Sequence, residues 1–137
     1  MKIEHVAIWV KDIDKVCEFY RKYFGGVVQP LYHNPAKQFT SRFVTFESGA
    51  RLEIMHRPDI GRNTGTFHVE QSEQGIAEHF GFAHLSFSVG SKEKVDRLTQ
   101  QMSDDGITIV GQPRTTGDGY YESVVLDPEG NRIEITV

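Results

Sequence analysis

The length and charge of the chain exclude several classes of protein. Its 137 residues, 38% hydrophobic and 25% charged, are typical of one ordinary globular domain rather than of a disordered or fibrous chain. The formal net charge of −4 argues against nucleic-acid binding, which requires clustered cations. One cysteine, no signal-like apolar segment and no membrane-length apolar run predict a cytoplasmic protein without a membrane partner.

The first half of the chain predicts a strand, a helix and three further strands. Residues 2–10 alternate with the period of two that is typical of a strand. Residues 13–24 place apolar side chains at helical spacing, with Asp12 as the N-cap and Gly25 and Gly26 as the stop. Three strand-like runs follow, at residues 27–32, 39–46 and 51–56.

The second half predicts the same order of elements. Residues 82–89 alternate as a strand does, and residues 91–106 form a helical pattern. Three more strands are expected, at residues 107–110, 120–126 and 132–137. The repeat predicts one α+β domain over residues 1–137, consisting of module 1 (1–56), a linker or lid (57–80) and module 2 (81–137).

The segment between the modules is long for so small a protein. It begins with glycine-rich sequence, and a short helix is expected over residues 70–79. A connection of this length is either a lid over a binding site or a plain linker, and both interpretations stay open.

A glutamate recurs in the last strand of each module, in "GARLEIM" and "GNRIEITV". Glu53 and Glu134 alternate with apolar residues, so they are expected on the face away from the helices. His5 and His84 lie in the first strands with the same phase. First and last strands can be neighbours, and two imidazoles with two carboxylates suit a divalent metal such as Zn, Ni, Fe, Mn or Co. The alternative is a duplicated structural His and Glu without a metal.

The segments "EHVAIWV", "GARLEIM", "GFAHLSFSV" and "GDGYYESVVLDPEGNRIEI" resemble the vicinal oxygen chelate superfamily, which includes glyoxalase I, extradiol dioxygenases and bleomycin-resistance proteins. The resemblance implies two βαβββ modules that pair into a cup-shaped mixed sheet with helices outside. It also implies one divalent metal ion in the cup, with His5, Glu53, His84 and Glu134 at the ligand positions. This set is most similar to the glyoxalase I (lactoylglutathione lyase) branch, in which Glu134, with Glu53 as its counterpart, would transfer a proton of a metal-chelated 2-oxo-hemithioacetal.

Two residues depart from the glutathione-binding pattern of that branch. Trp9 stands where an arginine is typical, and Arg57 stands where an asparagine is typical. A small-molecule substrate, with a thiol adduct as one option, and a homodimer are expected from the resemblance. The open alternatives are another metalloenzyme (epimerase, thiol transferase or dioxygenase) and a metal-free binding or resistance protein. The candidate substrate-binding residues are Trp9, Met55, Arg57, Arg114, Tyr120 and Tyr121.

Overall fold

The protein is described by a computed structural model that covers residues 3–60, 71–72, 75–76 and 83–137. The chain divides into two compact units, Met1–Arg62 and Asn63–Val137. The α+β fold class is confirmed, because each unit combines a mixed sheet with one long helix. Within the described ranges, no helix combines the length and the apolar composition that crossing a membrane requires.

The first unit is a mixed sheet of five strands with the helix α1, Ile13–Phe24, on one face. Its strands are β1 His5–Trp9, β2 Val27–Val28, β3 Tyr32–Asn34, β4 Phe39–Thr45 and β5 Arg51–His56. The sheet order is β1-β5-β4-β2, and β3 also pairs with β4. The first and last strands of the unit are neighbours, as expected from the sequence, and they run parallel to each other. A short 3-10 helix, Pro35–Lys37, joins β3 to β4.

The position of α1 is fixed by its caps and by its buried face. The side chain of Asp12 accepts a hydrogen bond of 2.9 Å from the backbone of Lys15, and Gly25 ends the helix at a φ of +65°. Gly26 then approaches β4 so closely that a Cβ atom would lie 2.5 Å from Val44 Cγ1. The buried side chains from both layers include Val16, Phe19, Tyr20, Val44, Leu52 and Ile54.

The second unit repeats this plan. Its strands are β6 Gln71–Ser72, β7 Gly75–Ile76, β8 Leu85–Ser88, β9 Ile109–Thr115, β10 Tyr121–Leu126 and β11 Arg132–Thr136. The four-stranded sheet has the order β8-β11-β10-β9, with β8 parallel to β11 and the other pairs antiparallel. The helix α2, Lys92–Asp104, contacts β9, β10 and β11. A separate antiparallel pair, β6 with β7, precedes the sheet.

Three details of the secondary structure differ from the prediction. The short helix expected over residues 70–79 is wrong, since Gln71–Ser72 pairs with Gly75–Ile76, and the rest of that range lies outside the described residues. The strand expected over residues 27–32 is two short strands, β2 and β3. The strand expected over residues 107–110 is Ile109–Thr115 and includes Pro113. A proline is tolerated there because this strand is at the edge of its sheet, where one side of the backbone needs no hydrogen-bond partner.

A buried aspartate fixes the turn before β11. Asp127 is 4% exposed, and its carboxylate accepts three hydrogen bonds of 2.9 Å from the backbone of Glu129 and from the backbone and side chain of Asn131. Gly130 completes the turn at a φ of +87°, a region that favours glycine. This turn sets where β11 begins and thereby which of its side chains lie on each face.

Candidate functional site

The first unit brings His5 and Glu53 together on the sheet face opposite α1. In the parallel pairing of β1 with β5, Ala7 is the register partner of Glu53, so His5 lies two residues away on the same face. The Nε2 atom of His5 lies 3.9 Å from Oε2 of Glu53. Ile8 and Ile54, which alternate with these residues, are buried on the helix side.

The other ring nitrogen of His5 is bound by a carboxylate. Nδ1 of His5 donates to Oε2 of Glu4 at 2.5 Å, which leaves Nε2 directed toward Glu53. Arg51 forms an ion pair with Glu4 and stacks on the ring of Phe43 at 4.0 Å. The hydrogen bond from His5, assisted by Arg51, lowers the pKa of Glu4. A metal-binding histidine is commonly oriented by such a carboxylate, and the sequence analysis missed Glu4 in this role.

The second unit forms the corresponding pair from His84 and Glu134. The parallel pairing of β8 with β11 makes Ser86 the register partner of Glu134. Nε2 of His84 lies 3.4 Å from Oε2 of Glu134, and Oγ of Ser86 donates a hydrogen bond of 2.7 Å to Oε1. Ile133 and Ile135 are fully buried on the opposite face, beneath α2. Ser86 was also missed from the sequence.

The two pairs match in exposure as well as in position. The side chains of His5 and His84 are 41% and 44% exposed, and those of Glu53 and Glu134 are 17% and 18% exposed. Across the described ranges, no group of three or more His, Cys, Asp or Glu side chains is placed to hold a metal ion. Each pair offers one imidazole nitrogen and one carboxylate oxygen, which are ordinary ligands of first-row divalent metals. Each pair therefore provides donors that suit such a metal, and neither pair alone supplies three ligands.

A second carboxylate of this unit, that of Glu122, lies beside Glu134. Glu122 of β10 is on the same face, with a side chain only 12% exposed, and Arg114 of β9 donates to it at 3.3 Å. Burial raises the pKa of Glu122, and the charge of Glu134 and a hydrogen bond with it raise that pKa further. The candidate Arg114 is thus bound to a carboxylate of this face. Gly111 makes room for it, since a Cβ there would lie 2.9 Å from Nη1 of Arg114.

The other candidates of the first unit lie on the face of the His5 and Glu53 pair. Trp9 is the register partner of Met55 on neighbouring strands, one alternation step beyond Glu53. The guanidinium carbon of Arg57 lies 5.5 Å from the centre of the Trp9 ring. Trp9 is 42% exposed.

The two tyrosine candidates of the second unit are placed differently from each other. Tyr121 lies on the helix side of β10, where its hydroxyl donates to Asp96 at 2.6 Å and Lys92 lies over its ring. Its side chain therefore leaves the face that carries Glu134. Tyr120 is 58% exposed in the turn between β9 and β10.

The chain belongs to the Glyoxalase/Bleomycin resistance protein/Dioxygenase superfamily, whose family model matches residues 2–135. The predicted resemblance to this group, also called the vicinal oxygen chelate superfamily, is confirmed. The glyoxalase-like fold is confirmed by a domain of this superfamily from Frankia sp. EAN1pec, with a TM-score of 0.77, 18% identity, and coverage of 100% of this chain and 97% of that one.

Several of the similar proteins carry the name of a specific enzyme. Lactoylglutathione lyase of Schizosaccharomyces pombe is 26% identical over 98% of this chain and 46% of its own length. The chain thus spans about half of that relative. The trypanothione-dependent glyoxalase I of Leishmania major has a TM-score of 0.70 at 21% identity, with 99% of this chain and 86% of that chain covered.

Proposed function

We propose that the chain is a metal-dependent isomerase or lyase that acts on a small 2-oxo-hemithioacetal or a related substrate with two adjacent oxygens. The recurrence of one His–Glu pair in each unit, with equal exposure of corresponding groups, carries this proposal. The similarity to a lactoylglutathione lyase supports the choice of reaction.

The proposed ligands of one divalent ion are His5, Glu53, His84 and Glu134. The mixed nitrogen and oxygen donor set is compatible with Ni, Zn, Mn, Fe and Co. When bound, the ion would act as a Lewis acid toward the two adjacent substrate oxygens. Glu4 would orient His5 by holding its Nδ1 proton, so that Nε2 is available as a ligand.

The proposed proton carrier is Glu134, with Glu53 as its counterpart in the first unit. A carboxylate at this position would remove the proton from the carbon beside the substrate carbonyl and return it to the neighbouring carbon. The hydrogen bond from Ser86 fixes Oε1 of Glu134, while Oε2 faces His84. The Ser86 bond restrains the orientation of Glu134, which would keep this carboxylate within reach of both adjacent carbons.

The thiol part of the substrate is proposed to differ from glutathione. Trp9 and Arg57 stand where the glutathione-using branch has other residues, and both are on the face of the His5 and Glu53 pair. The Leishmania major protein is described as trypanothione-dependent, so members of this branch do not all use one thiol. An altered substrate-binding surface next to a retained His–Glu pair supports the same chemistry on another adduct.

Turnover of hemithioacetals tests this proposal. The purified chain, loaded separately with Ni, Zn, Mn, Fe and Co, is assayed with methylglyoxal adducts of glutathione, cysteine and coenzyme A. We expect turnover with at least one metal and thiol, and Glu134→Gln should abolish turnover more completely than metal binding. Glu47→Gln, which changes an exposed glutamate between β4 and β5, is the matched control and should keep full activity.

Lack of turnover with every adduct and metal would contradict the hemithioacetal reaction and leave the other superfamily reactions or a binding role. Retained turnover in Glu134→Gln would contradict its role as the proton carrier.

We also propose that the chain works as a homodimer in the cytoplasm. The family resemblance supports the dimer, and the single cysteine supports a reducing compartment. Light scattering of the purified chain checks the dimer, for which a monomer mass at micromolar concentration would be the contrary result.

A further inference from the structure

Three aromatic rings form a continuous cluster on the face of the first unit that carries Glu53. The ring of Trp9 meets that of Phe39 edge to face, with centroids 6.0 Å apart at 86°, and Tyr32 lies 6.1 Å beyond Phe39. Trp9 is 42% exposed and Tyr32 is 55% exposed. Adjoining large aromatic side chains that remain this exposed are typical of a binding surface rather than of a core.

An arginine adds one cationic group to this cluster. The guanidinium carbon of Arg57 lies 5.5 Å from the centre of the Trp9 ring, and its Nε donates to Asp59. Asp59 restrains the guanidinium and offsets part of its charge. A planar guanidinium beside an aromatic ring can bind a carboxylate through paired hydrogen bonds. The partial neutralisation by Asp59 favours a monoanion over a dianion such as a phosphate monoester.

The cluster lies on the same sheet face as Glu53, and the strand geometry gives its spacing from that residue. Along β5 and its continuation, Glu53, Met55 and Arg57 alternate on one face, each step spanning about 6.6 Å. Trp9 is the register partner of Met55, so the rings begin one step from Glu53. The Cα atom of Arg57 lies a second step along the chain, at roughly 13 Å from that of Glu53.

We infer that this patch, defined as Trp9, Phe39, Tyr32 and Arg57, binds an aromatic ring that carries a carboxylate, as the part of the substrate remote from the reacting oxygens. The ring contacts the exposed aromatic side chains, and the carboxylate accepts hydrogen bonds from Arg57. The assignment to the substrate rests on the proposed function, whereas binding to the patch does not. Glutathione has carboxylates but no aromatic ring, so the inference predicts a different thiol or carbonyl component.

Trp9 is the single tryptophan of the chain, so its fluorescence reports directly on the patch. The purified protein, without thiol or dicarbonyl, is titrated with phenylacetate and with two probes of matched size. 2-Phenylethanol keeps the ring without the charge, and cyclohexylacetate keeps the charge without the aromatic ring. We expect phenylacetate to change the emission and to bind at least tenfold more tightly than either matched probe.

Variants separate the two components of recognition. Arg57→Gln should weaken phenylacetate about tenfold and leave 2-phenylethanol unchanged, while Phe39→Leu should weaken both. Arg97→Gln, on the exposed surface of α2, is the control and should bind as the unmodified protein does. Thermal unfolding of each variant establishes that it is folded before binding is compared.

Equal binding of the three probes, or no emission change with any of them, would overturn the inference. An emission change that depends on protein concentration instead of on the probe would indicate that a second copy covers the patch, and would also overturn it. These equilibrium measurements need neither a metal nor turnover. The probe titration can therefore be interpreted even if the hemithioacetal assay shows no turnover. The assay can likewise be interpreted if no probe binds.

Discussion

Ser86 donates a hydrogen bond of 2.7 Å to Glu134, whereas the corresponding neighbour of Glu53 is Ala7. Both neighbours are register partners of their glutamate on the first strand of the unit. The two glutamates thus match in position and exposure but differ in hydrogen bonding. This difference supports the assignment of proton transfer to Glu134, with Glu53 as its counterpart.

Removal of the Ser86 hydroxyl should lower the rate of the proposed reaction without loss of the metal. A hydrogen bond to a charged group contributes roughly 1.5–3 kcal/mol, so we expect Ser86→Ala to reduce kcat about tenfold or more. The measurement is kcat on the best hemithioacetal, with metal content determined on the same sample. Ala7→Ser is the matched control and should change kcat less than twofold. Equal losses in the two variants would contradict separate roles for Glu53 and Glu134.

Truncation of a core residue of β11 should destabilise the protein far more than truncation of Val137, which directly follows this strand. Ile135 is fully buried and Val137 is 45% exposed. Ile135→Ala should lower the free energy of unfolding by about 2–5 kcal/mol, because it creates a cavity beneath α2. Val137→Ala should change it by less than about 0.5 kcal/mol. Urea denaturation measures both, and similar values for the two variants would contradict the burial of Ile135 beneath α2.

The single cysteine, Cys17, should be unreactive in the native protein because its side chain is buried. Burial in the core raises the pKa of Cys17 from 9.0 to about 11, so very little thiolate is present at pH 8. We expect a disulfide reagent such as DTNB to react at least 100-fold more slowly with the native protein than with the protein in urea.

The same shift has a defined sign for stability. The folded state favours the neutral thiol, so this contribution is present below pH 9 and is lost as the pH rises toward 11. Cys17→Val should therefore show a shallower loss of Tm between these values than the unmodified chain. Rapid native labelling at pH 8, or identical pH profiles of Tm, would contradict a buried thiol.

The sequence was sufficient to predict the main helix of each unit, the strands β1, β4 and β5 and β8 to β11, and the position of His and Glu on neighbouring strands. Strand alternation has a period of two, so the buried phase of Ile133 and Ile135 requires Glu134 on the other face. The parallel pairing of first and last strands then brings His84 to it. The face of Glu134 follows from strand alternation, and its contact with His84 follows from the pairing of the first strand with the last.

The residues that support these pairs were harder to predict. Ser86 and Glu122 act on Glu134 from the neighbouring strands β8 and β10. Which residues lie beside Glu134 depends on the register of these strand pairs, and one sequence alone does not give that register. The sheet face of Tyr121 could be predicted, because Tyr121 alternates with Glu122 and lies on the same face as the buried Ser123. Its placement among the substrate candidates relied on its neighbourhood in the chain instead of on its phase.

Metal stoichiometry in variants of each His–Glu pair tests the central claim most directly. The chain is loaded with Ni or Zn, and bound metal is measured for the unmodified protein, for His5→Ala with Glu53→Gln, and for His84→Ala with Glu134→Gln. One ion per chain in the unmodified protein, and loss of at least 100-fold in affinity in both double variants, is the predicted result. Two ions per chain, one ion retained in either variant, or no binding to the unmodified protein would contradict a single metal held by both pairs.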